Sequence, residues 1–214
     1  MHHCEYFINL HAIFKTNPML KPLLYGFARQ YILLTGKISV NIVMLGYRGT
    51  GKSVISKILS EKLRMKLYKI DKLISDSACK SIPEIVEKDG WESFRKLESE
   101  IVADVSGKAK NSIIDCGGGV VLNDANIVNL KKNGVCIVLT ASLETIIKRI
   151  RHDSNRPSLQ NGLSFEDEQK KNLAEREDKY RAAADFICDT SHRRPRESVG
   201  DITEFLKTKG WNLK

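Results

Sequence analysis

The chain lacks paired cysteines. Its five, Cys4, Cys79, Cys116, Cys136 and Cys188, include no C-x-x-C spacing, so they offer neither a zinc framework nor a disulfide scaffold. Three of them stand in or beside apolar runs, where cysteine behaves as a small hydrophobe. An odd count without a framework points to a reducing, cytoplasmic setting. No uninterrupted apolar stretch reaches membrane length, because the apolar pieces near the start are broken by Lys15, Pro18, Lys21, Pro22 and Arg29, where a spanning helix needs about 20 apolar residues. No internal repeat is visible. The net charge is +9, yet the basic residues are scattered, with no long block, no RNA-binding signature and no basic stripe interleaved with aromatics. That argues against nucleic acid; it leaves small anionic substrates for several arginines and an ordinary solvated basic surface for most of the lysines. The 214 residues suffice for one α/β domain with a full core.

What is present is organised around one loop. Gly46-Tyr47-Arg48-Gly49-Thr50-Gly51-Lys52-Ser53 fits the phosphate-loop pattern G-x-x-x-x-G-K-[ST]. The apolar run Asn41–Leu45 before it reads as a buried strand, and Val54, Ile55, Ile58, Leu59 and Leu63 after it recur at helical spacing. Glycines at 46, 49 and 51 let backbone N–H groups approach a polyphosphate without a clashing Cβ. The following helix turns its positive end toward the phosphates. Lys52 is placed to reach the β- and γ-phosphates and Ser53 to ligate Mg²⁺, with Thr50 completing the loop.

From Asn41 onward strands alternate with helices. Leu67–Ile70 reads as a strand ending at Asp71, with a helix from Lys72 to Ser77. Ser81, Pro83 and Glu84 form a helix start with a capping box, and that helix stops near Asp89-Gly90. A longer helix follows from about Trp91 to Val105. Ser112–Cys116 is a strand running into Gly117-Gly118-Gly119. A helix over Asn123–Lys132 ends at Asn133-Gly134, Val135–Leu139 is a buried strand, and Ser142–Arg151 is a helix. Residues 152–164 are polar and read as a mobile loop. Ser164 caps a helix reaching Ala182, Asp185–Asp189 is a last strand, and Arg193-Arg194-Pro195 leads into a final helix. This alternation predicts a parallel sheet covered on both faces.

Residues 1–39 do not match the rest. One acid, Glu5, stands against Lys15, Lys21, Arg29 and Lys37, and neither caps nor clean periodicity are present. The segment is faintly like an organellar presequence. The expectation is an extension outside the fold, poorly ordered, arising from upstream translation or dispensable. Val40 stands where an initiating residue belongs, and the domain spans 40–214.

Taken in order, the motifs resemble those of shikimate kinase, a small kinase of the nucleoside-monophosphate-kinase type. They are the phosphate loop, Asp71 after the second strand, Phe94-Arg95-Lys96-Leu97-Glu98, the Gly117–Gly119 turn, Arg156-Pro157 in the polar loop, and Arg176 with Tyr180 in the long helix. The resemblance runs from about Val40 to Lys207. It implies a three-layer α/β/α fold with a five-stranded parallel sheet in order 2-3-1-4-5, a lid and substrate-binding helices. It also implies transfer of the γ-phosphoryl of ATP to the 3-hydroxyl of shikimate, with Mg²⁺, by a cytoplasmic monomer.

By this resemblance Arg95 and Arg176 hold the substrate carboxylate, a task suited to planar guanidinium forks. Read alone, Arg95 is an i,i+3 partner of Glu98 and Arg176 an ordinary helix charge. Asp71 contacts the ring hydroxyls and accepts the attacking proton; read alone, it is a helix N-cap. Gly117, Gly118 and Gly119 let backbone approach the substrate, and equally make a tight turn. Arg156 closes over the phosphates from the lid, and Arg149, Arg193 and Pro195 lie where the family packs adenine. Lys69 departs from the family's Asp-x-Asp, whose first acid helps organise the metal. Asp115, before the glycine turn, is the carboxylate that would replace it beside Ser53. A gluconate-type kinase of the same fold and a catalytically silent nucleotide-binding relative are the other readings.

Overall fold

The computed structural model describes residues 40–151 and 164–211. The stretch 152–163, which holds Arg156 and most of the expected lid, and the extension 1–39 lie outside the described residues. Among them are five strands and seven α-helices. In chain order these are β1 (Asn41–Gly46), α1 (Lys52–Leu63), β2 (Lys66–Lys69), α2 (Ile70–Ala78), α3 (Ile82–Lys108), β3 (Ser112–Asp115), α4 (Asp124–Lys132), β4 (Gly134–Thr140), α5 (Leu143–Ile150), α6 (Phe165–Ala183), β5 (Phe186–Asp189) and α7 (Pro195–Thr208). A 3₁₀ turn, Val120–Leu122, precedes α4.

All strand pairings are parallel, as the alternation of elements predicts, and the sheet order is β2-β3-β1-β4-β5, as the resemblance implies. The central strand is buried along its whole length, as a parallel strand covered on both faces must be. Its side chains alternate between the two faces. Ile42 and Met44 join Ile113, Ile137 and Leu139 against Ile55 and Leu59 of α1 and Val199, Ile202 and Leu206 of α7. Val43 and Leu45 join Ile114, Cys136 and Val138 against α2 to α6. Cys116, Cys136 and Cys188 are buried and unpaired, the role of small hydrophobes. The chain steps from β1 outward to β2, back to β3, then across to β4. The order therefore reverses around β1, and the crevice at the carboxyl ends of β1, β3 and β4 is where open α/β sheets bind ligands.

The helix starts follow the sequence. Ser81 and Glu84 form the capping box, and Asn123, Ser142 and Ser164 accept from the backbone of Ala125, Thr145 and Asp167. Gly90, at φ 81° and ψ 168°, breaks α3 where two helices are predicted. One boundary moves. Ile70 already belongs to α2, because Ile70 and Ile74, both fully buried, set a helical period one turn apart. Lys69 is therefore the N-cap residue, and Asp71 sits within the first helical turn rather than capping it.

A buried asparagine ties the strand starts together. Asn41, 2% exposed, donates from Nδ2 to the Ala109 carbonyl at 3.0 Å and accepts from the Ser112 amide at 3.1 Å. Both backbone partners lose their bond on truncation. Asn41→Ala is expected to lower stability by about 2–3 kcal/mol. Urea unfolding checks this as a lower midpoint with an unchanged slope.

Candidate active site

The loop after β1 takes its shape from sterics. At Gly46, φ is 138°, and a Cβ there would lie 2.3 Å from the Leu139 carbonyl oxygen. Gly51 enters α1 in the left-handed region at φ 90°, and the first turn of α1 holds no acid. The helix therefore keeps its positive end uncompensated, which favours an anion. Lys52 folds back over the loop, donating from Nζ to the Gly46 carbonyl at 2.7 Å and the Tyr47 carbonyl at 2.9 Å. Thr50 Oγ1 donates to the same Tyr47 carbonyl at 2.7 Å.

A cavity of about 670 Å³ opens on this loop. Of the residues expected to hold nucleotide and metal, Gly49, Thr50, Gly51, Lys52, Ser53, Asp115, Arg149, Arg193 and Pro195 line it. Gly46 is buried at the strand end and contributes the carbonyl that Lys52 holds. Arg149 donates to the Gly49 carbonyl at 3.1 Å and to Thr190 Oγ1 and the Thr190 carbonyl at 3.0 and 2.7 Å. Thr190 Oγ1 in turn donates to the Thr50 carbonyl at 3.0 Å. Arg149 thus clasps the loop to the end of β5. Thr190 carries no motif; its place just beyond a strand's carboxyl end was the only signal. Arg193 is paired with Asp201 on α7.

Asp115 lies at the carboxyl end of β3, in register with Met44 of β1 on one side and Lys69 of β2 on the other. It is 7% exposed, and its Oδ1 has no hydrogen-bond partner. Burial raises its pKa, opposed by the Lys52 charge and by a hydrogen bond from Ser53. A carboxylate and a hydroxyl thus meet at the loop's end, with one carboxylate oxygen unsatisfied. Mg²⁺ takes such a set, one or two protein oxygens completed by phosphate and water. Among the described residues no group of three or more His, Cys, Asp or Glu is arranged as a protein cage for a metal. Exposed Lys69 lines the same cavity.

A second cavity, of about 480 Å³, adjoins the first. Asp71, Arg95, Gly117, Gly118, Gly119 and Arg176 line it. Arg95 does make the i,i+3 pair, donating from Nη1 to Glu98 Oε2 at 2.7 Å. Glu98 is 1% exposed and its Oε1 has no partner. Burial raises its pKa, opposed by the neighbouring Arg95 charge. The pair therefore positions a cavity-lining guanidinium instead of decorating a surface. Arg176 is buried too: it donates from Nη1 to the Gly118 carbonyl at 3.3 Å and lies 5.5 Å from the Tyr47 ring. Tyr180 donates to the same carbonyl at 2.5 Å. Arg48, Asp71, Lys72 and Gly118 line both cavities. Arg48 and its partners Glu168 and Gln169 escaped the sequence reading, because variable positions within a motif carry no pattern.

Residues 48–207 match the family model for shikimate kinase. The shikimate kinase of Caldanaerobacter subterraneus subsp. tengcongensis is 41% identical over 174 residues, covering 79% of this chain and 98% of its own. That of Pelotomaculum thermopropionicum is 37% identical over 167 residues, covering 78% and 95%. Among solved structures, shikimate kinase from Acinetobacter baumannii in complex with shikimate aligns with a TM-score of 0.76 at 26% identity, over 87% of this chain and 99% of that one. Shikimate kinase from Aquifex aeolicus gives 0.69 at 30% identity, over 80% and 98%.

The buried Asp115 carboxylate has a stability consequence. Its folded pKa lies above the ordinary 3.8. Below 3.8 the group is neutral in both folded and unfolded chains; as pH rises through the folded value, ionisation in the buried site costs stability. In metal-free buffer, Asp115→Asn is expected to be more stable than the parent at pH 7. The gain shrinks to nothing as pH falls to the ordinary carboxylate range, read as the difference between urea midpoints.

Proposed function

The chain belongs to the shikimate kinase family, and from that premise we propose that the two cavities bind ATP and shikimate and that Asp71 works at their junction. The chain is an ATP-dependent kinase that phosphorylates the 3-hydroxyl of shikimate. Asp71 lining both cavities is the observation that carries the assignment of roles.

On the nucleotide side, the loop amides of Gly49–Ser53 and the start of α1 cradle the polyphosphate, with Gly46 setting the turn. Lys52 exchanges its two loop carbonyls for the β- and γ-phosphates. Ser53 and Asp115 would hold Mg²⁺, which would supply neutralisation of the phosphate charge. Arg149, Arg193 and Pro195 flank the base, and Arg156, from its place in the sequence, closes on the phosphates. On the other side, Arg95 and Arg176 fork the shikimate carboxylate while the Gly117–Gly119 backbone lies against the ring. Asp71 accepts the 3-hydroxyl proton. Excluding water from this junction favours transfer over hydrolysis. No described helix is long and apolar enough to cross a membrane. We further infer a monomer acting in the cytoplasm, a reducing setting that suits the unpaired described cysteines.

A coupled ADP-release assay tests this, with shikimate compared against gluconate and nucleoside monophosphates as acceptors. Turnover is expected with shikimate alone. In the same assay Asp71→Asn should lose about 10²–10⁴-fold in kcat with ATP binding retained; near-normal turnover refutes the proton-acceptor role. Arg95→Lys and Arg176→Lys keep the charge but lose the bidentate fork. Each should raise the shikimate Kd by about tenfold or more while leaving the ATP Kd within about threefold, measured by calorimetry.

A further inference from the structure

Arg48 occupies a variable position of the phosphate loop, and no role above uses it. It lines the nucleotide cavity and the substrate cavity together, as does Lys72; but Lys72 is exposed and paired with Asp76, whereas Arg48 is held in the wall. Its side chain is 12% exposed. Nε donates to Gln169 Oε1 at 2.8 Å, and Nη2 lies 3.7 Å from Glu168 Oε1. The same Gln169 oxygen accepts from the Tyr47 hydroxyl at 2.9 Å. Gln169 is fully buried and Glu168 4% exposed, so the guanidinium is anchored along one edge by groups that do not themselves move with solvent.

An arginine serving only to tie the loop to α6 would be matched by a close, bidentate carboxylate, since burying an unmatched guanidinium is costly. Here the short bond goes to a neutral amide, and the carboxylate stands off at 3.7 Å. The contacts engage Nε and Nη2 of a group with five N–H donors. The rest of the cation is held, preorganised, at the wall that a phosphoryl group must cross. The Arg48 amide also abuts the glycine turn, 3.4 Å from where a Gly118 Cβ would be. Loop and substrate turn therefore meet at this residue.

We propose that Arg48 is a further catalytic residue, an arginine built into the phosphate loop that contacts the phosphoryl group in transit, with Gln169 as its positioning residue. The inference rests on the kinase reading above. In the step, the acceptor oxygen forms a bond to the γ-phosphorus and the bond to the β,γ-bridging oxygen breaks. Its electron pair leaves on the terminal phosphate of ADP, and the hydroxyl proton passes to Asp71. Arg48 donates to equatorial oxygens of the moving group. The charge on those oxygens is shared between the two cavities only at mid-transfer, so the contact favours the transition state over either bound ligand.

The test compares the full chain with Arg48→Met and Arg48→Gln, the second retaining a donor for Gln169, each checked by thermal melting. In whichever variant melts like the parent, kcat should fall about 10²–10³-fold, with KM for ATP and shikimate each within about threefold. Guanidinium salt should restore part of kcat. Calorimetry supplies a readout independent of turnover. Affinity for ADP with Mg²⁺, aluminium fluoride and shikimate together should drop at least about tenfold, and affinity for ADP alone should hold. Gln169→Leu should lower kcat in part, and added guanidinium should not help it. Arg48 is structural, and the proposal fails, if kcat stays within about threefold in a folded variant. It also fails if the fluoride complex and ADP weaken together, or if both substitutions unfold the chain. Absence of shikimate turnover in the parent overturns the kinase reading as well; parental turnover with an undiminished variant overturns this proposal alone.

Discussion

Three missing side chains hold the substrate half of the site together. A Cβ at Gly117 would stand 2.6 Å from Asp71 Oδ1 and 3.0 Å from Glu98 Oε1. One at Gly119 would stand 2.1–2.3 Å from three atoms of the Arg95 guanidinium. Between them, the Gly118 carbonyl accepts from Arg176 and Tyr180. Five of the site's polar side chains therefore take their positions from one turn of backbone. Any residue other than glycine at 117 or 119 would have to displace an acid or a guanidinium from its place in the cavity wall. The turn can lie there because β3 ends beside β1, and Cys116 is pinned by its amide to the Met44 carbonyl at 3.2 Å.

Charge around the nucleotide cavity is arranged by depth. Lys69, Arg149 and Arg193 line it from the outside, while Asp115 lies beneath at the strand end. The register that sets Lys69 opposite Asp115 places a cation and an acid side by side at adjacent strand ends. Lys69 is exposed and solvated, so its repulsion toward a bound cation is screened. Asp115 is buried, so its unsatisfied oxygen acts at low dielectric, where a single charge counts for more. The acid on β3 outweighs the lysine on β2 for that reason. On the proposed reading, Asp115 would serve the metal in place of the carboxylate that the resemblance led one to expect at position 69.

Much of this was legible in the residue order. The phosphate loop, the capping box at Ser81 and Glu84 and the alternation that gives a parallel sheet follow from spacing, while the strand order and the grouping of Arg95, Arg176 and the glycines follow from the resemblance. The start of α2 was misplaced because Leu67–Ile70 reads equally well as strand; only the fit of Ile70 beneath Ile74 decides it. Thr190, Glu168 and Gln169 were invisible for a different reason. Each acts through a tertiary contact across about 120 to 140 positions, such as Thr190 with Thr50 at a separation of 140. No local pattern encodes a partner that distant. Arg48 sat in plain view, but a motif's variable positions are silent until a structure shows what they face.

The same long-range contacts explain why α6 carries so few apolar residues and yet is firmly placed. Its buried positions are Glu168, Gln169, Asn172, Arg176, Tyr180 and Ala183. Gln169, Asn172, Arg176 and Tyr180 follow one another at intervals of three and four, so they form one stripe along the helix. The stripe is polar where an ordinary core-facing stripe is apolar. At one end Gln169 takes the hydroxyl of Tyr47 and the Nε of Arg48; at the other Arg176 and Tyr180 take the glycine turn. Tyr47 closes the circuit, its ring 5.5 Å from the Arg176 guanidinium. A buried polar network is costly to satisfy in part. Small sliding of α6 would break bonds at the phosphate loop and at the substrate turn together, so intermediate positions are disfavoured. The helix thereby acts as a rigid strut that fixes the distance between the phosphate loop and the glycine turn.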